Sequence, residues 1–291
     1  MTICIGALAA GGEAIVCVAD KAVTIGDYIQ ADADSTKILR VNDDNRVALI
    51  AGSDDVLDLI LQKLTNSNLP IDSLQDILSK CQEICNKVTD ELIETRFLHP
   101  KLLTKDKYIQ AITNKEINKY MESIAMEIAD GKPNYVVLLC GFSDQDKPYI
   151  ISLRPDIVTD NARSGFQAIG SGFEFAMARM LWSKSKRSHS IGRVLYDAFD
   201  AKANAEMDPG VGFEWDAQVI IKGKSGPIIV SNEIKELIEQ VWDKANRSPF
   251  EKRDPLWDLP NPPRDWKEQL EKYSKSLLSR RSISQKSKDQ P

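Results

Sequence analysis

The second residue of the chain is a threonine, and its position decides which chemistry the sequence could carry. Threonine is small enough for removal of Met1 to expose Thr2 as a new N-terminus. An N-terminal threonine holds a nucleophile and a base on one residue, because an α-amino group with a pKa of about 7.7–8.0 can accept the hydroxyl proton. The chain has only two histidines, His99 and His189, which disfavours Ser-His-Asp and Cys-His catalysis.

The cysteines are a second source of reactive groups, but their surroundings predict burial. All five lie in apolar or helical patterns: Cys4, Cys17, Cys81, Cys85 and Cys140. Cys81 and Cys85 are four residues apart and share one face of a predicted helix. Two thiols with no histidine nearby do not make a zinc site. The sequence therefore predicts buried free thiols, no metal site and no cofactor.

Composition and charge narrow the class of protein. The chain has 291 residues, 42% of them hydrophobic and 28% charged, which is typical of a globular protein with one large or two ordinary domains. Its net charge of −5 argues against electrostatic binding of the whole protein to nucleic acid or anionic lipid. No apolar run is long enough to span a bilayer, and no basic segment precedes the first apolar stretch. We expect a cytoplasmic protein without nucleic-acid or membrane partners.

The elements that must position Thr2 are predicted from hydrophobic patterning. A hairpin is expected over residues 2–9 and 13–20, with strands at 36–41, 46–51, 135–141, 148–153, 165–169, 216–221 and 227–230. Helices are expected from Ser53, over 70–94, 114–129, 172–184 and 190–204. This order of strands, helices, strands, helices and strands predicts antiparallel sheets covered by helices.

The C-terminal part of the chain has a different composition, so a boundary is predicted near residue 244. Residues 245–263 hold five of the 13 prolines, and residues 264–291 are rich in basic side chains and serine. Residues 245–291 are predicted to be a linker with a frayed basic helix. The alternative is an arm that packs on a neighbouring subunit through Trp257 and Trp266.

Short motifs carry a family resemblance over residues 2–230. They are Thr2-Ile3-Cys4-Ile5-Gly6, Val18-Ala19-Asp20 with Thr24 and Gly26, Ser35-Thr36-Lys37-Ile38, Ala51-Gly52-Ser53, Gly141 with the acidic turn after it, Ala168-Ile169-Gly170-Ser171-Gly172 and Asp208-Pro209-Gly210-Val211. In this order and at near-family spacing, the chain resembles proteasome β-subunits and the bacterial protease HslV. Both are N-terminal-nucleophile hydrolases. Only Met1 precedes Thr2, where many family members have a propeptide, and the tail after residue 245 has no counterpart in the family. A divergent relative is therefore expected.

The resemblance implies catalytic roles for three residues of the first strands. The Thr2 hydroxyl group is the nucleophile, and its freed α-amino group is the general base. Lys37 lies beside the nucleophile, where its charge lowers the pKa of the amino and hydroxyl groups. Asp20 pairs with Lys37 and fixes its position.

Three further roles follow from the same resemblance. The backbone N–H group of Gly52 forms the oxyanion hole at the start of a helix, and Ser171 and Asp208 hold the α-amino group and a water molecule. Val211 stands where the family has a serine that supports the amino group, so this hydrogen bond is expected to be missing.

A specificity pocket is implied at four positions. They are Val23, Ser35, Ile50 and Asp54. Ile50 at the pocket floor would favour a medium-sized apolar side chain, whereas Asp54 at the rim could attract a basic one.

The fold and function implied by the resemblance are those of a compartmentalised peptidase. The fold is an α+β four-layer αββα sandwich over residues 2–244, with two stacked antiparallel sheets between helix layers and a helical insertion at about 96–113. A threonine-type endopeptidase in a homo-oligomeric ring would cleave peptides or unfolded proteins without a cofactor, with an ATP-dependent unfoldase as a possible partner. Two alternatives stay open: a non-catalytic scaffold protein on this fold and a small-molecule amidase.

Overall fold

The computed structural model describes residues 2–25, 29–32, 36–41, 45–52, 54–67, 73–114, 119–131, 133–246 and 265–286. The strands are β1 (Ile3–Ala9), β2 (Ala14–Asp20), β3 (Ala22–Ile25), β4 (Ile29–Asp32), β5 (Ile38–Arg40), β6 (Arg46–Gly52), β7 (Tyr135–Phe142), β8 (Pro148–Leu153), β9 (Val158–Asp160), β10 (Phe166–Gly170), β11 (Trp215–Ile221) and β12 (Ile228–Ile229). The helices are α1 (Asp54–Asn66), α2 (Leu74–Ile93), α3 (Lys105–Thr113), α4 (Lys119–Asp130), α5 (Phe173–Trp182), α6 (Ile191–Ala205), α7 (Asn232–Asn246) and α8 (Trp266–Lys286).

The strands form two five-stranded antiparallel sheets and a separate hairpin. The first sheet has the order β10-β1-β2-β11-β12, and the second has the order β5-β6-β7-β8-β9. Strands β3 and β4 pair only with each other among the described strands. All these pairs are antiparallel, which confirms the predicted mixed α/β fold with antiparallel sheets.

The central strands are apolar on both faces because each face joins a different core cluster. In β1, Ile3 and Ile5 pack with the helical residues of α5, α6, α7 and α8, whereas Cys4 and Leu8 pack with residues of β6, β7 and β8. A further cluster joins α1 and α2 to the second sheet. Such continuous apolar strands are expected where both faces of a sheet are covered.

Helix α2, which packs against the second sheet, begins later than its sequence predicts. Helix α2 starts after Ser73, whose hydroxyl oxygen accepts a hydrogen bond from the Asp76 N–H group at 3.1 Å. Its buried stripe includes the predicted pair Cys81 and Cys85. All five cysteines are buried free thiols, as predicted.

Several elements differ from the sequence prediction. Strands β3, β4 and β9 and helix α7 are additional. The helix expected at 114–129 is described over Lys119–Asp130, and residues 115–118 lie outside the described residues. The short strands have only three or four residues, which is too few to show a period-two pattern. The segment expected to be an insertion at about 96–113 contains a π-helical turn over Glu94–Leu98, a 3-10 turn over His99–Lys101 and helix α3.

The C-terminal helix packs on helix α6 of its own chain. Leu270 is buried against Gly192, and the Ser274 hydroxyl oxygen accepts a hydrogen bond from the Gly192 N–H group at 2.7 Å. Helix α8 accounts for the helical part of the predicted tail, whereas the linker with Trp257 lies outside the described residues. No helix in the described part of the chain combines the length and apolarity needed to cross a membrane.

Candidate active site

A buried carboxylate group at the end of β2 organises the candidate site. Asp20 is fully buried, because β2 lies between β1 and β11 in the middle of the first sheet. Its Oδ1 atom accepts hydrogen bonds from the Thr2 hydroxyl at 2.5 Å and the Ile3 N–H at 2.9 Å. Its Oδ2 atom accepts from the Gly212 N–H at 3.0 Å and the Ala22 N–H at 3.3 Å. A buried carboxylate is tolerable only when its oxygens are paired in this way.

The positive charge that balances Asp20 comes from the second sheet. Lys37 immediately precedes β5, and its carbonyl oxygen accepts a hydrogen bond from the Ile50 N–H of β6 at 3.2 Å. The Lys37 Nζ atom lies 2.8 Å from Asp20 Oδ1 and donates a hydrogen bond to the Thr2 hydroxyl oxygen. The ion pair between Lys37 and Asp20 therefore joins the two sheets beside Thr2.

The Thr2 hydroxyl group is held from both sides. It donates to the Asp20 carboxylate and accepts from the Lys37 ammonium group, and Thr2 as a whole is buried. An adjacent cation favours the negatively charged form of an oxygen. This arrangement can polarise the hydroxyl group for nucleophilic attack.

Two glycines, the last residue of β10 and the second residue after it, fix the backbone of Thr2. A Cβ atom on Gly170, whose φ is +105°, would lie 2.1 Å from the Thr2 carbonyl oxygen. The Gly172 N–H donates a hydrogen bond to that same oxygen at 3.5 Å. Ser171 lies between these two glycines as an exposed turn residue, so the structure brings it next to the backbone of Thr2.

Asp208 lies in the turn that follows α6 and is half-buried. Its carboxylate accepts a hydrogen bond from the Gly210 N–H at 2.8 Å, and its carbonyl oxygen accepts from the Val211 N–H at 3.0 Å. The turn packs on the Thr2 side of the molecule, because a Cβ atom on Gly172 would lie 2.8 Å from Val211 Cγ2. The described bonds of the Asp208 carboxylate therefore shape its own turn.

Gly52 ends β6 next to the beginning of α1. It pairs with Tyr135, and at its φ of +143° a Cβ atom would lie 2.8 Å from the Asn134 carbonyl oxygen. A glycine is required here, since the chain turns from strand to helix against a neighbouring backbone. Within the residues that the structure describes, no hydrogen bond links Gly52 to Thr2.

The four predicted pocket residues are described to different extents. Ile50 is half-buried and packs against the cluster under α1 and α2. Val23 lies in β3 and Asp54 begins α1, but their side chains, and all of Ser35, lie outside the described residues.

A cysteine near the site is held as a neutral thiol. Burial raises the pKa of the Cys4 thiol to about 12, although the Lys37 charge opposes this shift. The Cys4 Sγ atom donates a hydrogen bond to the Ile50 carbonyl oxygen at 3.4 Å. Because the thiolate is the reactive form of cysteine, the neutral, buried Cys4 thiol is a poor nucleophile.

Gly170 and Gly212 are site residues that sequence reasoning did not assign. Gly212 supplies an N–H group to Asp20, and Gly170 leaves room for the Thr2 carbonyl group. Gly170 lies within one motif quoted for the resemblance and Gly212 directly follows another, but a glycine's contacts are invisible until the backbone is placed. No set of three or more His, Cys, Asp or Glu residues suited to a metal ion occurs among the described residues.

Neither protein-family models nor curated proteins gave a match to this chain. Its proposed function therefore depends on the short motifs and on the geometry around Thr2. That geometry is a hydroxyl group held between an ammonium group and a carboxylate group.

Proposed function

We propose that this protein is a threonine-type endopeptidase related to the proteasome-like N-terminal-nucleophile hydrolases, with Thr2 as its nucleophile. The observation that carries the proposal is the position of Thr2 Oγ1 between Lys37 Nζ and Asp20 Oδ1. Residues from the start of β1, the end of β2 and the start of β5 supply these three groups. A surface threonine would need neither the buried ion pair nor the two glycines that hold its backbone.

The reaction requires cleavage of the Met1–Thr2 bond, which frees the α-amino group of Thr2. This amine takes the hydroxyl proton while Oγ1 attacks the carbonyl carbon of a substrate amide. The tetrahedral intermediate then expels the amine product, which takes the proton from the Thr2 ammonium group. An ester between Thr2 and the acyl part of the substrate is left. Water hydrolyses this ester with the same α-amino group as its base, and Thr2 is regenerated.

The residues around Thr2 have separate tasks in this reaction. Lys37 stabilises the negative charge that develops on Oγ1, and Asp20 holds Lys37 in place. Gly52 is proposed to donate its N–H group to the oxyanion of the tetrahedral intermediate. Ser171 and Asp208 are proposed to orient the freed α-amino group and a water molecule.

The arrangement of core clusters supports a four-layer αββα sandwich for this fold. Alternate residues of β1 and β2 belong either to the helix-facing cluster or to the cluster shared with the second sheet. A Cβ atom on Gly6 of β1 would lie 2.9 Å from the Cys140 Sγ atom of β7. The two sheets would thus be the inner layers, with α1 and α2 outside one sheet and α5 and α6 outside the other.

The proposed assembly is a homo-oligomeric ring that admits peptides or unfolded proteins, with an ATP-dependent unfoldase as a candidate partner. Exposed apolar side chains at the end of α5, Leu181 and Trp182, support burial against another subunit. The side chains of Val23, Ser35, Ile50 and Asp54 are proposed to line the substrate pocket. Five buried free thiols support a reducing compartment such as the cytoplasm.

The test is the intact mass of the protein before and after treatment with a peptide epoxyketone, which reacts with both the amine and the hydroxyl of an N-terminal threonine. We expect loss of Met1 and one adduct on Thr2. Thr2→Ala is the matched control, because alanine also permits removal of Met1 but lacks the hydroxyl group. Thr2→Ser keeps the hydroxyl group and should still form the adduct.

Two outcomes would contradict the peptidase proposal. Retention of Met1 would leave Thr2 without its base and would favour the non-catalytic scaffold. A free Thr2 that forms no adduct with the peptide epoxyketone, yet is acylated by a small β-lactone, would favour a small-molecule amidase.

A further inference from the structure

We propose that Lys202, a buried lysine in the last turn of α6, is a positioning residue that holds Asp20 through the backbone of residues 212 and 213. This inference rests on the proposed function, because Asp20 matters through Thr2. The Lys202 side chain is 0% exposed, which is unusual for lysine and calls for a structural or functional reason. The reaction proposed above does not use it.

The Lys202 ammonium group makes two described contacts. It lies 2.5 Å from Glu206 Oε1, one turn further along at the end of α6. It also donates a hydrogen bond to the carbonyl oxygen of Phe213. The first contact balances the buried charge. The second fixes a carbonyl group of the segment that leads from α6 to β11.

That carbonyl group is one residue from a group that contacts the candidate site. Gly212 precedes Phe213, and its N–H group donates to Asp20 Oδ2 at 3.0 Å. Lys202 therefore anchors one end of a two-residue stretch whose other end binds the carboxylate paired with Lys37. The Phe213 side chain is 77% exposed, so packing of that side chain cannot hold the Phe213 backbone in place.

The remaining anchors of the segment lie on either side of this stretch. Before it, the Asp208 carboxylate holds the Gly210 N–H. After it, the Glu214 carbonyl oxygen accepts a hydrogen bond from the Lys21 N–H at 3.0 Å. Among the described hydrogen bonds, residues 212 and 213 are held only by Asp20 and Lys202. Without the ammonium group, the Phe213 carbonyl would lose its partner and the Gly212 N–H could turn away from Asp20.

The test compares Lys202→Met with Lys235→Met. Methionine keeps an unbranched apolar side chain but removes the donors. Lys235 is a matched control because its Nζ atom also donates to a backbone carbonyl group nearby, that of Trp215 at 3.1 Å, and forms an ion pair with Asp216. Trp215 is already paired with Asp20 in the ladder between β11 and β2, so its backbone does not depend on a lysine.

Two quantities are measured for each variant. The first is the rate of epoxyketone labelling of Thr2, resolved into the maximal rate and the half-saturating concentration. The second is hydrogen exchange at the Gly212 amide, which reports on its bond to Asp20 without requiring any reaction. We expect Lys202→Met to lower the maximal rate about 10- to 100-fold, since one hydrogen bond to a charged group is lost. The half-saturating concentration should stay within about threefold, because substrate contacts are unchanged.

Exchange at Gly212 should accelerate in Lys202→Met and stay unchanged in Lys235→Met. Lys202→Arg, which keeps the charge and the donors, should restore most of the labelling rate. If Lys202→Met does not fold, the double variant Lys202→Met, Glu206→Leu removes both members of the ion pair and should show the same loss of labelling.

The inference is overturned if Lys202→Met labels Thr2 at the wild-type rate, or if Gly212 keeps its protection in that variant. It is also overturned if Lys235→Met lowers the maximal rate as much as Lys202→Met does. A wild-type protein that is never labelled contradicts the proposed function instead. In that case the exchange measurement still decides whether Lys202 holds Gly212.

Discussion

Replacement of Gly170 by alanine should separate the position of Thr2 from the stability of the fold. Gly170 ends β10 and pairs with Ile3 at the beginning of β1. The added Cβ atom would lie 2.1 Å from the carbonyl oxygen of Thr2 and 2.9 Å from its Cγ2 atom. The nearest atom is backbone, so no side-chain rotation can relieve the collision.

The size of the effect follows from that distance. An ordinary contact begins at 3.4 Å, so the alanine and the Thr2 carbonyl group must separate by more than about 1 Å. A displacement of about 1 Å in a catalytic group can lower the rate about 100-fold. The backbone conformation adds its own cost, because a φ of +105° in a residue with a Cβ atom costs about 1–3 kcal/mol in the free energy of unfolding.

The matched control is Gly165→Ala. Gly165 precedes β10 and has a φ of +85°, but a Cβ atom there meets nothing within 4 Å. Both variants therefore carry a strained backbone, and only Gly170→Ala carries the collision with Thr2. The assay is the rate of Thr2 labelling by the peptide epoxyketone, measured beside denaturant unfolding of each variant.

We expect both variants to lose stability and only Gly170→Ala to lose about 100-fold in labelling rate. Equal labelling rates in the two variants would refute the argument. They would mean that Thr2 is not held by the turn after β10, and the proposed roles of Ser171 and Gly172 would lose their support.

Three further predictions concern charge and burial. Lys37→Met should lower the labelling rate about 10²- to 10³-fold, because the charge that stabilises Oγ1 is lost. Lys21→Met, which removes a pair with a carboxylate 3.5 Å away, should leave the rate within about twofold. An aromatic disulfide reagent at pH 8 should titrate five thiols only after unfolding, because all are buried and burial raises the pKa of Cys4 to about 12; rapid titration of the native protein would contradict this burial. Burial also raises the pKa of the Asp197 carboxyl group in the folded protein. The protonated carboxyl group therefore contributes to the free energy of unfolding below the unfolded-state pKa of about 3.9, and this contribution is lost as the pH rises through the raised pKa of the folded state. Denaturant unfolding from pH 3 to 7 should therefore show wild type losing stability relative to Asp197→Asn, and an opposite trend would show that the Arg193 charge outweighs desolvation.

The fold was predictable from the sequence where hydrophobic patterns were long. The hairpin of β1 and β2, the strand β7 and helices α2, α5 and α6 each carry enough apolar residues to define their period. The strands β3, β4 and β9 are only three or four residues long, so their pairing depends on neighbours that a local pattern cannot reveal.

The candidate site was predictable only as a set of residue types in order. Thr2, Asp20 and Lys37 were expected to lie together from motif resemblance, and the structure brings these three into contact. The backbone donors of Ile3, Ala22 and Gly212 could not be predicted, since every residue except proline carries the same N–H group. Only the register between distant strands decides which of these groups meets Asp20.

The wide spacing of the partners of Thr2 along the chain has a consequence for biosynthesis. Thr2, the proposed nucleophile, is synthesised before the residues that organise its hydroxyl and backbone, which are Asp20, Lys37, Gly170 and, through Asp20, Gly212. At about 5–20 residues per second, the interval between Thr2 and Gly212 corresponds to about 10–40 s of translation. Removal of Met1 during this period would expose an amine and a hydroxyl group, but not an assembled reaction centre. Under the proposed function, the nascent chain would have no assembled reaction centre at Thr2 until the chain had been made as far as Gly212.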